Sequence, residues 1–158
     1  MHDITPCLWF DTQGEEAALF YTSVFPKSKI VDVVRYGKAG PGPAGTALTV
    51  KFELDGKEFL ALNGGPLHAG FTETISFQVF CDDQAQVDAL WSALSEGGEE
   101  GQCGWVNDRY GLSWQIIPRV LPELLGGPDA EKSQRVMQAM LEMKKIEIGL
   151  LEQAAAGV

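Results

Sequence analysis

The chain has 158 residues, 45% of them hydrophobic, with a formal net charge of −10. Length and apolar content describe a folded chain with one domain and a real core. The negative charge argues against nucleic acid and against an anionic membrane surface, since either partner calls for a basic patch.

No apolar run approaches transmembrane length. The opening "MHDITPCLWF" lacks a basic region followed by a long apolar one, so no secretion signal is expected. Cys7, Cys81 and Cys103 form an odd set without metal-ligand spacing and read as reduced thiols of a cytoplasmic protein.

In chain order, "ITPCLWF" (4–10) reads as a strand. Thr12 with Glu15 makes a capping box, and Ala17, Phe20, Tyr21 and Val24 follow at helical spacing up to Pro26. "KIVDVVRY" (29–36) is β-branched and reads as a strand. "GKAGPGPAG" (37–45), with four glycines and two prolines, is a flexible loop suited to a lid or to plain disorder. "TALTVKFEL" (46–54) and "KEFLALN" (57–63) are strands joined by Asp55-Gly56, a type I′ hairpin signal.

The pattern then restarts. "TISFQVFC" (74–81) is a strand, Asp83 with Gln86 opens a second capped helix, and Val87, Leu90, Trp91 and Leu94 repeat at helical spacing. Gly97-Gly98 stops it. Short strands are expected near Gln102–Val106 and over Leu112–Ile117, with Asp108–Gly111 turning between them. An offset of 70 pairs Ala17 with Val87, Phe20 with Leu90, Tyr21 with Trp91 and Val24 with Leu94; an offset of 71 pairs Thr5 with Ser76 and Cys7 with Gln78. The chain therefore reads as two copies of one unit. Module one covers about 1–68, module two about 72–121, and one tail helix about 128–155, with Val136, Met140, Met143, Ile146 and Leu150 as its packing stripe.

The tandem βαβββ layout, with "ITPCLWFD", "GEEAALFYTSVFP", "LALNGGP", "ISFQVFCDD", "GWVNDRYGLSWQIIP" and "VMQAMLEMKKIEI" in order, resembles the vicinal oxygen chelate superfamily of glyoxalase and bleomycin-resistance proteins. In detail these motifs look like its PhnB-like branch, often labelled 3-demethylubiquinone-9 3-methyltransferase. The resemblance implies an α+β fold. Two tandem βαβββ modules form a half-open barrel whose cup holds a metal or small ligand, and a C-terminal helix follows. Metal-dependent members carry histidine or glutamate on the first and last strand of each module. Those positions fall here on Thr5, Ala61, Ser76 and Gln115, with Asn63 and Gln78 as the alternatives if a strand slips by two. Neither alanine nor a neutral hydroxyl replaces imidazole or carboxylate, and His2 and His68 stand alone, so no metal and no other cofactor is expected.

Strand alternation assigns the ligand-facing side. It groups Thr5, Cys7 and Trp9; Phe59, Ala61 and Asn63; Ser76, Gln78 and Phe80; and Ser113, Gln115 and Ile117. Leu8/Phe10, Leu60/Leu62, Phe77/Val79 and Trp114/Ile116 are left to pack under the helices. The expected cup residues are Thr5, Cys7, Trp9, Phe59, Asn63, Ser76, Gln78, Trp105 and Gln115, with Trp105 and Tyr110 at the mouth or against the tail. Neutral polar groups on aromatic walls suit a small-molecule pocket, and they also suit a filled core in which they bond one another. No catalytic residue is assigned. Cys7 lacks a base and reads as a small apolar residue. Arg35 and Arg109 are the cations available to an anionic ligand, and Asp108 caps its own turn.

The expectation is a metal-independent small-molecule-binding protein, a cytoplasmic homodimer. The alternatives are an enzyme, either the methyltransferase of the family label or a metal-dependent lyase or isomerase, and an antibiotic-sequestering resistance protein. The glycine stretches do not follow a strand and open a helix, which speaks against the common methyl-donor fold.

Overall fold

Asp55 and Gly56 both adopt positive φ, 47° and 76°, as a type I′ turn requires. They join β3 (Ala47–Leu54) to β4 (Lys57–Asn63), with Leu54 opposite Lys57. This hairpin is the centre of a four-stranded mixed sheet ordered β1-β4-β3-β2, where β1 is Cys7–Phe10 and β2 is Lys29–Arg35. β1 runs parallel to β4, and β2 is a bulged antiparallel edge. Helix α1 (Gly14–Val24) lies on the sheet through Ala17, Ala18 and Tyr21, and Tyr21, Phe52 and Phe59 stack in sequence beneath it. The computed structural model describes residues 2–68 and 70–158.

The second half repeats this order. β5 (Ser76–Cys81), β8 (Ser113–Pro118), β7 (Trp105–Asn107) and β6 (Glu99–Glu100) form a sheet ordered β5-β8-β7-β6, with β5 parallel to β8. Helix α2 (Gln84–Ser95) buries Val87, Trp91 and Leu94. Each sheet ends in two edge strands and neither closes on itself. Burial follows the offset of 70 in three of the four pairs: Ala17 and Val87 are buried, Phe20 and Leu90 half-buried, and Tyr21 and Trp91 buried, while Val24 is half-buried where Leu94 is buried. The halves form two compact units, Met1–Gly70 and Phe71–Val158. β6, only two residues long, carries no strand signal in the sequence.

After a short helix α3 (Val120–Leu125), which falls on the helical turn and breaker read at "LPELLGGP", the segment read as one helix over about 128–155 forms two, α4 (Ala130–Leu141) and α5 (Ile148–Ala156), broken at 142–147. The break has a physical cause. The amides of Cys103 and Gly104 donate to the carbonyls of Met143 and Lys144 at 2.8 and 2.7 Å. Gln84 on α2 donates to the Ile146 carbonyl and accepts from the Ile148 amide. The Ile148 amide, spent on Gln84, has no proton left for a helix bond, and the outward-turned carbonyls are held in place by their partners. Leu121, Val136, Met143, Ile146 and Leu151 form the tail core; Leu151 is buried, while Leu150, the last residue of the stripe read from the sequence, is exposed.

The capping signals separate in the same way. Asp83 caps α2, accepting from the Gln86 amide at 2.9 Å, and the Gln86 side chain returns to the Asp82 amide. Thr12 does not cap α1. Its N-cap is Gln13, without a side-chain bond, and the Gly14 amide donates instead to Asn63 Oδ1 on β4 at 2.7 Å.

Candidate functional site

On the second sheet, Gln78 lies opposite Gln115, Ser76 opposite Ser113, and Trp105 opposite Gln115. Residues level with one another on adjacent strands share a face. Ser76, Gln78, Trp105 and Gln115 are thus neighbours on the side away from buried Trp114 and Ile116. Gln115 Nε2 donates to Ser76 Oγ at 2.8 Å, and Gln78 Nε2 donates to Gln115 Oε1 at 3.3 Å. Among the described residues, the chain of bonds leaves the Ser76 hydroxyl proton without an acceptor at one end and the Gln78 carbonyl oxygen without a donor at the other. Ser113 Oγ, next along β8, is buried with no bonding partner among the described residues. Phe80 and Ile117 continue the face. Phe80 is exposed under the Arg119 guanidinium, which also pairs with Asp82 at 2.8 Å, and Ile117 packs on the tail core.

The first sheet corrects the assignment made from alternation. Cys7 pairs with Leu60 and Trp9 with Leu62, while Leu8 pairs with Ala61 and Phe10 with Asn63. Phe59, Ala61 and Asn63 are buried at 8, 1 and 7% exposure on the α1 side. Leu60 and Leu62, assigned to the helix side, share the open face with Cys7 and Trp9. The apolar run Phe59–Leu62 carries no phase of its own, so pairing decided it. Asn63 is a structural bracket: its Oδ1 takes the Gly14 amide and its Nδ2 donates to the Ala47 carbonyl at 3.0 Å.

The same register brings Glu58, a residue the sequence reading missed, to the open face. Thr5 Oγ1 donates to Glu58 Oε1 at 3.2 Å, and Lys51 Nζ stands 3.9 Å from Glu58 Oε2. Lys29 pairs with Glu53 at 3.4 Å on the neighbouring positions. This patch is charged where the Ser76–Gln115–Gln78 row is neutral; on the second sheet carboxylates stand only further along the face, Glu73 accepting from Asn107 at 3.0 Å and Glu99 level with Asn107. The signal was present as alternation with Lys57–Glu58, but only the hairpin register fixes which side it reaches. Trp9 bonds the Gly65 carbonyl through Nε1 at 2.9 Å and meets the His68 ring edge-on.

The remaining candidates have structural partners. Arg35 is held by Glu15 at 2.8 and 3.1 Å, which keeps the Glu15 carboxyl below its ordinary range. Arg109 stands 3.6 Å from Glu96. Asp108 is buried and caps its turn, accepting from the amides of Tyr110 and Leu112 and from Trp114 Nε1 at 2.8 Å. Burial pushes the Cys81 thiol up to about 11, so it stays protonated and inert at neutral pH. Cys7 is exposed.

A separate cavity of about 430 Å³ lies within the first unit, between the 37–45 loop and the segment after β4. Asp11, Thr12, Tyr36, Pro43, Thr46 and Leu67 are among its walls. The loop is pinned at its base, the Tyr36 amide donating to Thr46 and the Gly45 amide to Tyr36, both at 2.8 Å.

A chelated metal does not fit the donors present. Cys7 faces Leu60 as Gln78 faces Gln115, so the first-module counterpart of Gln115 is Leu60. Thr5, Leu60, Ser76 and Gln115 offer no imidazole or carboxylate, and Ser76 and Gln115 bond each other. Among the described residues no three His, Cys, Asp or Glu side chains gather to hold an ion. Among them, too, no helix is long and apolar enough to cross a membrane.

A family model described as 3-demethylubiquinone-9 3-methyltransferase matches residues 2–117. Among solved structures, a PhnB protein from Bacillus cereus is 35% identical, with a TM-score of 0.69 over 74% of this chain and 99% of that one. Protein PA1353 from Pseudomonas aeruginosa shows the same fold at 21% identity and a TM-score of 0.63, over 75% and 98% of the two chains. A gene product of Arabidopsis thaliana does so at 18% identity and 0.51, over 74% and 98%. No curated protein matches the sequence. With the repeated βαβββ topology of its two sheets, these likenesses show that the chain belongs to the PhnB-like branch of the vicinal oxygen chelate superfamily, the family described as 3-demethylubiquinone-9 3-methyltransferase.

Proposed function

We propose that the protein binds a small uncharged or weakly anionic aromatic compound on the open face of its second sheet, without a bound metal. The observation that carries this is the bonded row Ser76–Gln115–Gln78 beside Trp105. Its neutral groups are already oriented by one another, so they lose little freedom on meeting a ligand. The free hydroxyl proton and carbonyl oxygen at its ends suit a phenol, quinone or amide, and the indole supplies a flat apolar wall.

The family description names a methyltransferase, and that is the reading this one competes with. The common methyl-donor fold needs a parallel sheet with a glycine-rich turn between a strand and a helix. Here both sheets are mixed, and the residues leading into α1 and α2 are Asp11-Thr12-Gln13 and Asp82-Asp83. That supports binding over methyl transfer. The reading includes a cytoplasmic homodimer. Exposed Met137 and Leu141, one helical turn apart on α4, supply apolar surface for it.

The test is a fluorescence and calorimetric titration of the purified protein with a panel of small phenols and quinones, and separately with S-adenosylmethionine. Saturable binding of a panel member, weakened about tenfold or more by Gln115→Leu, supports the proposal. No binding across the panel, binding indifferent to Gln115→Leu, a response to S-adenosylmethionine, or stoichiometric zinc, nickel or manganese in the purified protein overturns it.

A further inference from the structure

The cavity in the first unit has no part in that reading, and its chemistry differs. One side is apolar: Pro41, Pro43, Pro66 and Leu67 line it beside Tyr36. That side is set before any ligand arrives. Tyr36 Oη donates to the Asn63 carbonyl at 2.6 Å, and the loop lies so close on the ring that a Cβ at Gly40 would come within 2.6 Å of it. Gly42 is equally confined.

The polar side is mostly acceptors, the Thr12 hydroxyl being a side-chain group on it that can also donate. The hydroxyl of Tyr36 is engaged as above, that of Thr46 donates to the Pro43 carbonyl at 2.6 Å, and the Asn63 amide donates to Ala47. What these groups still offer is lone pairs. The Asp11 carboxylate adds a full negative charge and has no side-chain partner among the described residues. A volume of about 430 Å³ is in the range of small-molecule sites.

We propose that this cavity is a binding site for a small organic cation, a primary or secondary ammonium carried on a flat or cyclic apolar body. The ammonium donates to Asp11 and to the remaining lone pairs, and the body lies against Tyr36 and the prolines. A carboxylate of the same shape meets acceptors and a like charge, and is rejected.

The experiment is a titration of the ¹⁵N-labelled full chain with phenethylammonium chloride and, in parallel, with phenylacetate. Saturable shifts are expected at the amides of Gly42, Thr46, Gly65 and Leu67 with the ammonium probe. Binding should be about tenfold weaker or more for phenylacetate, and for Asp11→Asn with the ammonium probe. Gly42→Val, which drives a side chain into the Tyr36 ring, should abolish the response while the second unit's amide spectrum stays unchanged. Equal responses to the two probes, no saturable shift from the ammonium, an Asp11→Asn chain that binds as tightly, or shifts confined to β5 and β8 overturn the proposal. The last pattern would leave the second-sheet reading standing, so the two failures are distinguishable.

Discussion

Asn63 in the first unit and Asp108 in the second are both buried polar side chains that hold a unit together, and they do it with different chemistry. Asn63 is neutral. It joins the end of β4 to the first amide of α1 and to the Ala47 carbonyl. Asp108 is an acceptor only, and it gathers two amides of its own turn and the Trp114 indole. The first crosses 49 residues to cap a helix; the second works mostly within its own turn, while α2 has a local cap in Asp83. Two copies of one topology have thus solved the same problem of unpaired helix and turn amides, once from a distance and once from nearby.

The largest effect should come from Asp108→Ala, which strands three donors at once, two of them in buried surroundings. Hydrogen bonds to a charged acceptor are the costly ones to lose, so urea unfolding should show about 3 kcal/mol or more of destabilisation. Asn63→Ala should cost about 2–3 kcal/mol, and amide exchange should show lost protection at Gly14 while β5 and β8 keep theirs. Asp83→Ala removes an ordinary N-cap bond and should cost about 1 kcal/mol, with exchange faster only in the first turn of α2. If Asn63→Ala proves no worse than Asp83→Ala, the contrast between remote and local capping collapses.

The smallest effect is electrostatic and should appear in both units. Hydrogen bonds from Arg35 hold Glu15 below the ordinary carboxylate range, and those from Lys145 and then Gln84 do the same for Asp88. A carboxylate depressed in the folded chain adds stability above its unfolded value and loses it as pH falls through the folded one. Stability should therefore decline on acidification below about pH 4, and Arg35→Met or Lys145→Met should each flatten that decline slightly, because the pairs are exposed. Urea midpoints followed across acidic pH would show it; an unchanged slope in both variants would mean the pairs contribute nothing measurable.

What could be read from the sequence followed the range of the interaction. The Asp55-Gly56 turn, the Asp83 cap, the Asp108 turn and the α2 stripe are local, and each stands where the pattern placed it. The order of strands was accessible through the repeat. The side reached by β4 was not, because Phe59, Leu60, Ala61 and Leu62 are all apolar and only pairing with β1 sets their phase. Thr12 looked like a cap because nothing nearby announced that Asn63 would take its place. The tail was read as one helix because its apolar stripe runs on through Met143 and Ile146. The bonds that interrupt it come from Cys103 and Gly104, some forty residues earlier. For the candidate site, Ser76 with Gln78 and Gln115 were legible as ligand-facing positions by alternation, while the place of Trp105, left open between mouth and tail, Glu58 and the cavity under the 37–45 loop needed the three-dimensional register.

The match to the family stops at residue 117, where β8 is about to end, yet the carbonyls of Met143 and Lys144 are what occupy the amides of Cys103 and Gly104. The C-terminal segment therefore works as a seal over an otherwise open seam. A chain cut after β8 would bare those donors together with the apolar patch that Ile146 and Leu121 cover, and such a fragment should be sticky and self-associate.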